Sequence, residues 1–527
     1  MIGGGLTGGR PERSAAGDCG AEPSGAERRR GVGVAMHAAW HEPVTAAAQT
    51  GCRARRHPRP IPPFRGSAAR LGGTSPGPVD AMTTDSQPVA SADARRDLWP
   101  GLRRQAARRP MLVLVPWTAA WFVILARRGG IAWIFFVKGS ALLFTGHFAA
   151  HSRPGGMRLY ASYPGLQIGP LSFVVAEAIR KLGPDQGLVL AQIILSVIGL
   201  LTLMTIRSIA VTARPELIRR SDLDWTFLAG GAVFMTAWTE LAVAYGHLDD
   251  ALALLLAALA LWAAITGHPA LTGLGIGLAA DAKPWALIFL PVLLLSAGTR
   301  RWRAPDQAAR PVRASLPAWL VASACAAAVI AAAWLPFFVA VPETARALHY
   351  TIGNLPDSAL RALGVSSPRT PPWDRAAQIC IACVLGIAAI WRNRWPGVLL
   401  LGAGARIALD PGAHGYYTPS IMVGALIWDL LGARRPLPVW TMISFFALNL
   451  VPLLTADGPI RGAFRLYLVV AFTLAVLLGP QRWVWAPTQI LGPVGADPAE
   501  PAAHEGPPAP QGAGGQPTVG PVVDRTQ

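Results

Sequence analysis

Three ionisable side chains stand together in front of a long apolar run. His247, Asp249 and Asp250 follow Tyr245, and no charged residue occurs after them up to Trp262. A carboxylate here could accept a proton from a hydroxyl group as a general base, with the histidine beside it. Helix capping is the competing interpretation, because acidic residues in a first turn complement the helix dipole. Two consecutive carboxylates exceed what a cap requires, so we predict His247, Asp249 and Asp250 as catalytic residues and Tyr245 as a substrate contact.

A second polar corner contains Asp281 and Lys283, directly before Pro284. Proline suits the first turn of a helix, so both charges would lie at a helix boundary. The ammonium group of Lys283 could bind a phosphate as a point charge. Alternatively, Asp281 and Lys283 pair and merely neutralise each other. The sequence leaves both interpretations open, and we keep the two residues as candidate substrate-binding residues.

A third polar corner, residues 410–417, contains His414, Tyr416 and Tyr417. Tyrosines are common at membrane surfaces, whereas a histidine has no such routine role. We therefore predict His414 as a further substrate contact. A divalent metal could bind beside His247 and the paired aspartates, but two carboxylates and a histidine alone do not identify one.

The composition is that of a membrane protein. Of 527 residues, 52% are hydrophobic and 14% are charged, and the mean hydropathy is +0.38. The formal net charge is +18, from 47 basic and 29 acidic residues. Because the arginines sit in the terminal extensions and in short loops between apolar runs, their distribution indicates membrane topology rather than nucleic-acid binding.

The chain divides into three parts. Residues 1–108 and 484–527 are rich in Gly, Ala and Pro and lack apolar periodicity, which predicts disorder in both. Residues 109–483 contain about eleven or twelve apolar segments, which predicts an all-α polytopic membrane helix bundle. These segments lie near 111–126, 188–206, 225–244, 251–267, 270–282, 285–298, 316–341, 376–391, 397–409, 418–431, 437–455 and 464–479. Two further segments, 131–146 and 167–182, combine apolar faces with charges and suit interfacial helices in a first outer loop.

The arginine-rich loops all fall on one side if the apolar segments span alternately, and that side is predicted to be cytoplasmic. The opposite side then receives residues 127–187 and the corners around His247, Lys283 and His414. An ionisable group at a membrane boundary is costly unless it faces water, a partner or a ligand. The sequence thus predicts a multi-pass protein of the cell membrane with an extracytoplasmic site.

Three stretches resemble a known class of enzymes. They are residues 160–171, which begin Tyr-Ala-Ser-Tyr-Pro-Gly; residues 245–251, Tyr-Gly-His-Leu-Asp-Asp-Ala; and residues 273–285, which end Asp-Ala-Lys-Pro-Trp. Their layout over roughly residues 108–480 is similar to that of GT-C class integral membrane glycosyltransferases. Within that class the chain looks like the bacterial polyprenyl-phosphate-mannose-dependent alpha-mannosyltransferases.

The resemblance implies a helical membrane bundle with an outward-facing cavity. It implies a polyprenyl-phosphate-linked sugar such as mannose as the donor, and a cell-envelope glycan or glycolipid as the acceptor, with no nucleotide sugar. Basic residues hold the donor phosphate in this class, a role that falls to Lys283 here. By the same resemblance, Tyr160 and Gln167 belong to the loop that frames the cavity. An acidic residue in the first outer loop usually acts as the general base.

The chain departs from this class in its first outer loop. No Asp or Glu occurs between Asp97 and Glu177, so the expected base is missing there. Either one of the paired aspartates supplies the carboxylate, with His147 or His151 in reserve, or the chain is a relative that has lost activity.

A transporter or flippase for a lipid or sugar is the main alternative, with Asp249, Asp250 and Lys283 as coupling or substrate groups. Transporters often contain internal repeats, and we find no convincing repeat between the two halves of this sequence. A purely structural scaffold explains the clustering of the polar corners less well. Convergence of these corners on one cavity beneath residues 127–187 would favour the enzyme, and scatter around the periphery would exclude it.

Overall fold

The computed structural model describes residues 109–149, 152–183, 187–215, 221–298, 317–412, 414–432 and 437–479. The segments predicted to be disordered, 1–108 and 484–527, lie outside the described residues, and so does His151. Within the described ranges the chain is predominantly helical and contains no β-strand, with one isolated β-bridge between Gly353 and Arg369. The predicted all-α fold is confirmed.

Thirteen α-helices of seven or more residues occur in these ranges. They are α1 Met111–Leu125, α2 Trp133–Thr145, α3 Pro170–Leu182, α4 Leu188–Ala213, α5 Ser221–Thr239, α6 Leu248–Thr266, α7 Pro269–Ala282, α8 Ala318–Ala340, α9 Asp374–Trp391, α10 Val398–Leu409, α11 Thr418–Leu431, α12 Val439–Phe445 and α13 Gly458–Leu477. Two π-helices, Glu240–Tyr245 and Phe446–Leu450, continue α5 and α12.

Seven helices of the described chain are long and apolar enough to cross a membrane. Their ranges are Met111–Arg128, Leu188–Ala213, Asp224–Tyr245, Leu248–Thr266, Ala318–Ala340, Asp374–Trp391 and Gly458–Leu477. Shorter apolar helical stretches cover Trp133–Thr145, Pro284–Leu295, Trp395–Leu409 and Val439–Leu454. Helices satisfy their own backbone groups in lipid, so this set indicates a multi-pass membrane protein.

The predicted apolar segment 285–298 is not one continuous helix. Pro284 begins the 3-10 helix Pro284–Phe289, and Pro291 precedes a single α-helical turn, Val292–Leu295. Proline lacks the backbone N–H group that a helix interior requires, so the two prolines interrupt the helix. The interruption starts at Lys283, where the backbone is extended with φ −150°.

Helices α6 and α7 form a hairpin that brings two polar corners to the same end of the bundle. α6 begins directly after His247, and α7 returns to end directly before Lys283. Gly273 lies where α7 packs against α8, and a Cβ atom there would meet the backbone carbonyl of Ala322. Small residues at such a contact let two helices approach closely, which holds α7 in place.

The loop between α2 and α3 packs against the end of α7. The Gly169 N–H and the Ser172 hydroxyl both donate to the Ala282 carbonyl, each at 3.0 Å. Helices α2 and α3 occupy the segments expected to be helical, 131–146 and 167–182. Their place at a membrane surface stays a prediction. The loop therefore borders the polar corners that α6 and α7 position.

Candidate active site

The turn before α6 positions a buried histidine and two buried carboxylates. Gly246 has φ +71°, a left-handed conformation that glycine adopts without strain, and it ends the π-helix before His247. Asp249 is 0% exposed, Asp250 2% and His247 5%. Asp249 Oδ1 accepts a hydrogen bond from the Asp250 N–H at 2.9 Å. This bond satisfies one free N–H group in the first turn of α6, while the cap residue His247 makes no side-chain capping bond, and the second carboxylate is left unexplained.

Lys283 bridges the two carboxylates. Its Nζ contacts Asp249 Oδ2 directly and lies 3.7 Å from Asp250 Oδ2. The alternative in which Lys283 pairs with Asp281 is wrong, because Asp281 Oδ1 instead accepts from the Leu171 N–H at 3.4 Å. Asp281 lies in the last turn of α7, whereas the extended backbone at Lys283 lets its side chain reach the start of α6.

Helix α10 adds Arg406, which was not predicted as a site residue from the sequence. The Trp285 indole N–H donates to Asp250 Oδ1 at 2.8 Å, and Arg406 Nη1 lies 3.9 Å from the same oxygen. Arg406 Nε lies 3.3 Å from Asp410 Oδ2. The guanidinium carbon also lies 4.0 Å from the Trp285 ring centroid and 4.3 Å from that of Tyr417. Two aromatic rings and two carboxylates thus fix one buried cation.

Aromatic rings connect the third polar corner to the first. The His247 ring stacks on Tyr416 at 3.8 Å between centroids, and Tyr416 stacks on His414 at 5.1 Å. Tyr245 contacts the same Tyr416 ring edge-on at 5.2 Å. Burial lowers the pKa of the His414 imidazole and raises the pKa of the Tyr416 hydroxyl. Both groups are therefore neutral at physiological pH.

Several buried polar atoms of this cluster make no hydrogen bond within the described chain. They are His247 Nε2, Asp250 Oδ2, Arg406 Nη1 and Thr418 Oγ1. Buried polar groups normally find a partner, and exceptions require an explanation such as a bound water or ligand. Thr418 also lines a small recess of about 10 Å³, together with His414, Tyr417 and Arg465. The cluster offers both donors and acceptors to a polar ligand.

The remaining predicted residues lie around the cluster. Tyr160 is fully buried, donates from its hydroxyl to the Ile168 carbonyl at 2.9 Å, and packs its ring on Trp334 at 4.8 Å. Gln167 is half-buried in the same loop, next to the end of α7. His147 is exposed beyond the end of α2. Asp249, Asp250, Lys283 and His414 are thus linked by contacts, whereas Tyr160 supports the bordering loop.

A divalent metal has candidate ligands in this cluster. Ligand atoms of His247, Asp249 and Asp250 lie within 4.8 Å of one another. Lys283, however, already contacts Asp249 and lies close to Asp250, so a cationic group sits against both carboxylates. A metal ion would have to displace this ammonium group or accept its repulsion. The carboxylates of Asp249 and Asp250 therefore suit Lys283 as their counter-ion better than a bound metal ion.

Four residues of this region were not predicted as site residues from the sequence: Trp285, Arg406, Glu240 and Asn449. Arg406 could have been predicted from the sequence, because a charged residue inside an apolar segment is costly and marks a functional site by default. Glu240 carried the same signal within segment 225–244. Asn449 could not have been predicted in this way, since its contact with Glu240 joins residues 209 positions apart.

Comparisons with known proteins add no identification. The chain matches no protein-family model, no curated protein and no solved structure at a significant level.

Proposed function

We propose that this chain is a membrane glycosyltransferase that transfers a mannose-like hexose from a polyprenyl-phosphate donor to a cell-envelope glycan or glycolipid. The observation that carries the proposal is the convergence of Asp249, Asp250, Lys283 and Arg406 at one end of a membrane helix bundle. Ionisable groups gathered and buried at the ends of membrane helices are costly and mark a functional site. The reaction type comes from the resemblance of three sequence stretches to GT-C class enzymes.

The donor phosphate is assigned to Lys283 and Arg406. A polyprenyl-phosphate-linked sugar carries one phosphodiester charge, and cations near such a group stabilise the charge that develops as it leaves. Arg406 Nη1 is buried without a hydrogen bond, so it has an N–H group to offer. The Lys283 side chain is 14% exposed, more than either aspartate beside it. Asp249 and Asp250 hold both cations at this position.

The active site is assigned to the extracytoplasmic side. The polar corners all lie at helix ends opposite the arginine-rich loops, if the helices span alternately. The loop that contains Tyr160 and Gln167 borders the same end through its bonds to Ala282. A lipid-linked donor could reach this end sideways from the bilayer, with the acceptor arriving from the aqueous side.

A transporter for a lipid or sugar remains the second candidate. One observation favours it: the helix interruption between Lys283 and Val292 lies beside the ionisable cluster, and transporters use interrupted helices at their binding sites. A relative that binds the donor without catalysing transfer would have the same geometry.

Purified protein in lipid vesicles tests the proposal. Vesicles receive polyprenyl-phosphate-[³H]mannose and a lipid extract as acceptor, and the products are separated by chromatography. We expect label in a new glycolipid or glycan, with the donor consumed. Label that crosses the bilayer while still attached to the donor would identify a transporter, and donor bound without either event would identify an inactive relative.

A further inference from the structure

Glu240 places a carboxyl group within a membrane helix, and the site described above does not use it. It opens the π-helix Glu240–Tyr245, which ends just before His247. π-turns inside helices are uncommon and occur frequently at functional sites. The other π-helix, Phe446–Leu450, carries Asn449, whose amide Nδ2 donates to Glu240 Oε2 at 2.7 Å. Two rare helix distortions therefore meet at this one hydrogen bond.

The second oxygen of Glu240 faces the chain segment that carries the aromatic stack. A Cβ atom added to Gly415 would lie 3.1 Å from Glu240 Oε1. Gly415 stands between His414 and Tyr416, whose rings stack on each other and on His247. The Glu240 carboxyl group thus lies beside the cluster, where it faces Gly415, a residue without a side chain.

The ionic surroundings of Glu240 differ from those of the paired aspartates. Asp249 uses one oxygen for Lys283 and the other for the Asp250 N–H. Asp250 accepts from Trp285 and has cations nearby. Glu240 is half-buried, accepts from a neutral amide, and forms no ion pair in the described part of the chain.

This difference decides which carboxylate can take a proton. Opposite charges nearby favour the ionised form of a carboxyl group, so a carboxylate held by a lysine is a poor proton acceptor. Arg128, from the turn after α1, acts electrostatically on Glu240, whereas Glu240 in turn acts on the Tyr245 hydroxyl of its own π-helix. Neither makes an ion pair with it, so neither of these groups opposes proton uptake by the Glu240 carboxylate as an ion-pair partner would.

We propose that Glu240 is the general base of the transfer reaction, an inference that rests on the proposed function. In that step the acceptor oxygen bonds to the anomeric carbon of the donor sugar. The bond between that carbon and the phosphate oxygen breaks, and its electron pair leaves with polyprenyl phosphate. The acceptor proton passes to the Glu240 carboxylate and then to water. Asp249 and Asp250 act as positioning residues for Lys283 and Arg406.

Glu240→Gln tests the inference, because glutamine keeps the shape and can still accept from Asn449 but cannot take the proton. Glu343→Gln is the matched control, since Glu343 is exposed on the 3-10 helix after α8. We expect Glu240→Gln to lower the transfer rate by about 100-fold or more, the usual scale for general base catalysis. Donor binding and the melting temperature should match the control. The acidic limb of the pH–rate profile should disappear with the base, and Glu240→Asp should retain that limb at a lower rate.

The outcomes separate this inference from the proposed function. A wild type that transfers sugar while Glu240→Gln keeps its rate within about threefold of the control overturns the base and leaves the function standing. Loss of donor binding or folding in both the Gln and Asp variants also overturns the base, because it assigns Glu240 a structural role. A wild type that transfers no sugar overturns the proposed function, and the inference fails with it.

Discussion

Lys283 contacts Asp249 across the hairpin of α6 and α7. The two residues are 34 positions apart in the sequence, and the lysine neutralises the aspartate. Asp249 is 0% exposed, and its pairing holds the start of α6 against the end of α7. This ion pair therefore belongs both to the fold and to the candidate active site.

Removing one partner of this pair should destabilise the protein. Asp249→Asn leaves the Lys283 ammonium without its main counter-charge, and breaking a buried pair costs about 3–5 kcal/mol. We expect a clearly lower melting temperature for Asp249→Asn and for Lys283→Met alone. The double variant Asp249→Leu with Lys283→Met should recover much of the stability and none of the transfer activity. Additive losses in the double variant would contradict the pairing.

Arg406 should not tolerate replacement by lysine. Its planar guanidinium contacts the rings of Trp285 and Tyr417 and reaches Asp410, a geometry that an ammonium group cannot reproduce. We expect Arg406→Lys to weaken donor binding by about tenfold or more, measured by displacement of labelled donor. Arg346→Lys, at an exposed position, serves as the control. Equal donor affinity in both variants would remove Arg406 from the phosphate site.

Lys283 should decide whether the cluster binds a metal. Wild-type transfer should be unaffected by a chelator, because the lysine supplies the positive charge between the carboxylates. Lys283→Ala removes that charge, and we expect Mn²⁺ to bind this variant at least about tenfold more tightly than the wild type, measured by electron paramagnetic resonance. Lys181→Ala, at an exposed lysine, is the control. Chelator-sensitive transfer by the wild type would show that a metal takes part.

His414 should make stability depend on pH. Burial lowers the pKa of its imidazole below the ordinary value of 6.5, so the unfolded chain takes up a proton first as the pH falls. Its contribution to the free energy of unfolding is complete above about pH 6.5 and is lost as the pH drops from there through the folded-state pKa. We expect the melting temperature of His414→Gln to fall less on acidification than that of the control His349→Gln, where the histidine is exposed. Parallel curves would contradict this assignment.

The helices could be predicted from the sequence, whereas the contacts between them could not. Apolar runs such as 188–206 and 316–341 indicate helices directly, because lipid leaves the backbone no other partner. The apolar run 285–298 does not form one continuous helix, because two prolines interrupt it. Lys283 pairs with Asp249 rather than with Asp281 because the backbone at Lys283 is extended. Apolar periodicity cannot predict the conformation of a single residue.

The candidate site was predicted in part for the same reason. His247, Asp249 and Asp250 stood out because charges beside an apolar run are rare. The contacts of Glu240 with Asn449 and of Arg406 with Trp285 join distant segments, so only the packed helices bring them together.

Transfer in detergent micelles tests the central claim most directly, because a micelle has no second compartment and transport cannot be observed in it. Purified wild-type protein is mixed with polyprenyl-phosphate-[³H]mannose and lipid acceptor, and both products are measured over time. We expect one polyprenyl phosphate released for each mannose joined to the acceptor, with Asp249→Asn strongly impaired and Glu343→Gln unaffected. Intact donor and no new glycoside in micelles, with donor translocation in vesicles, would contradict the account.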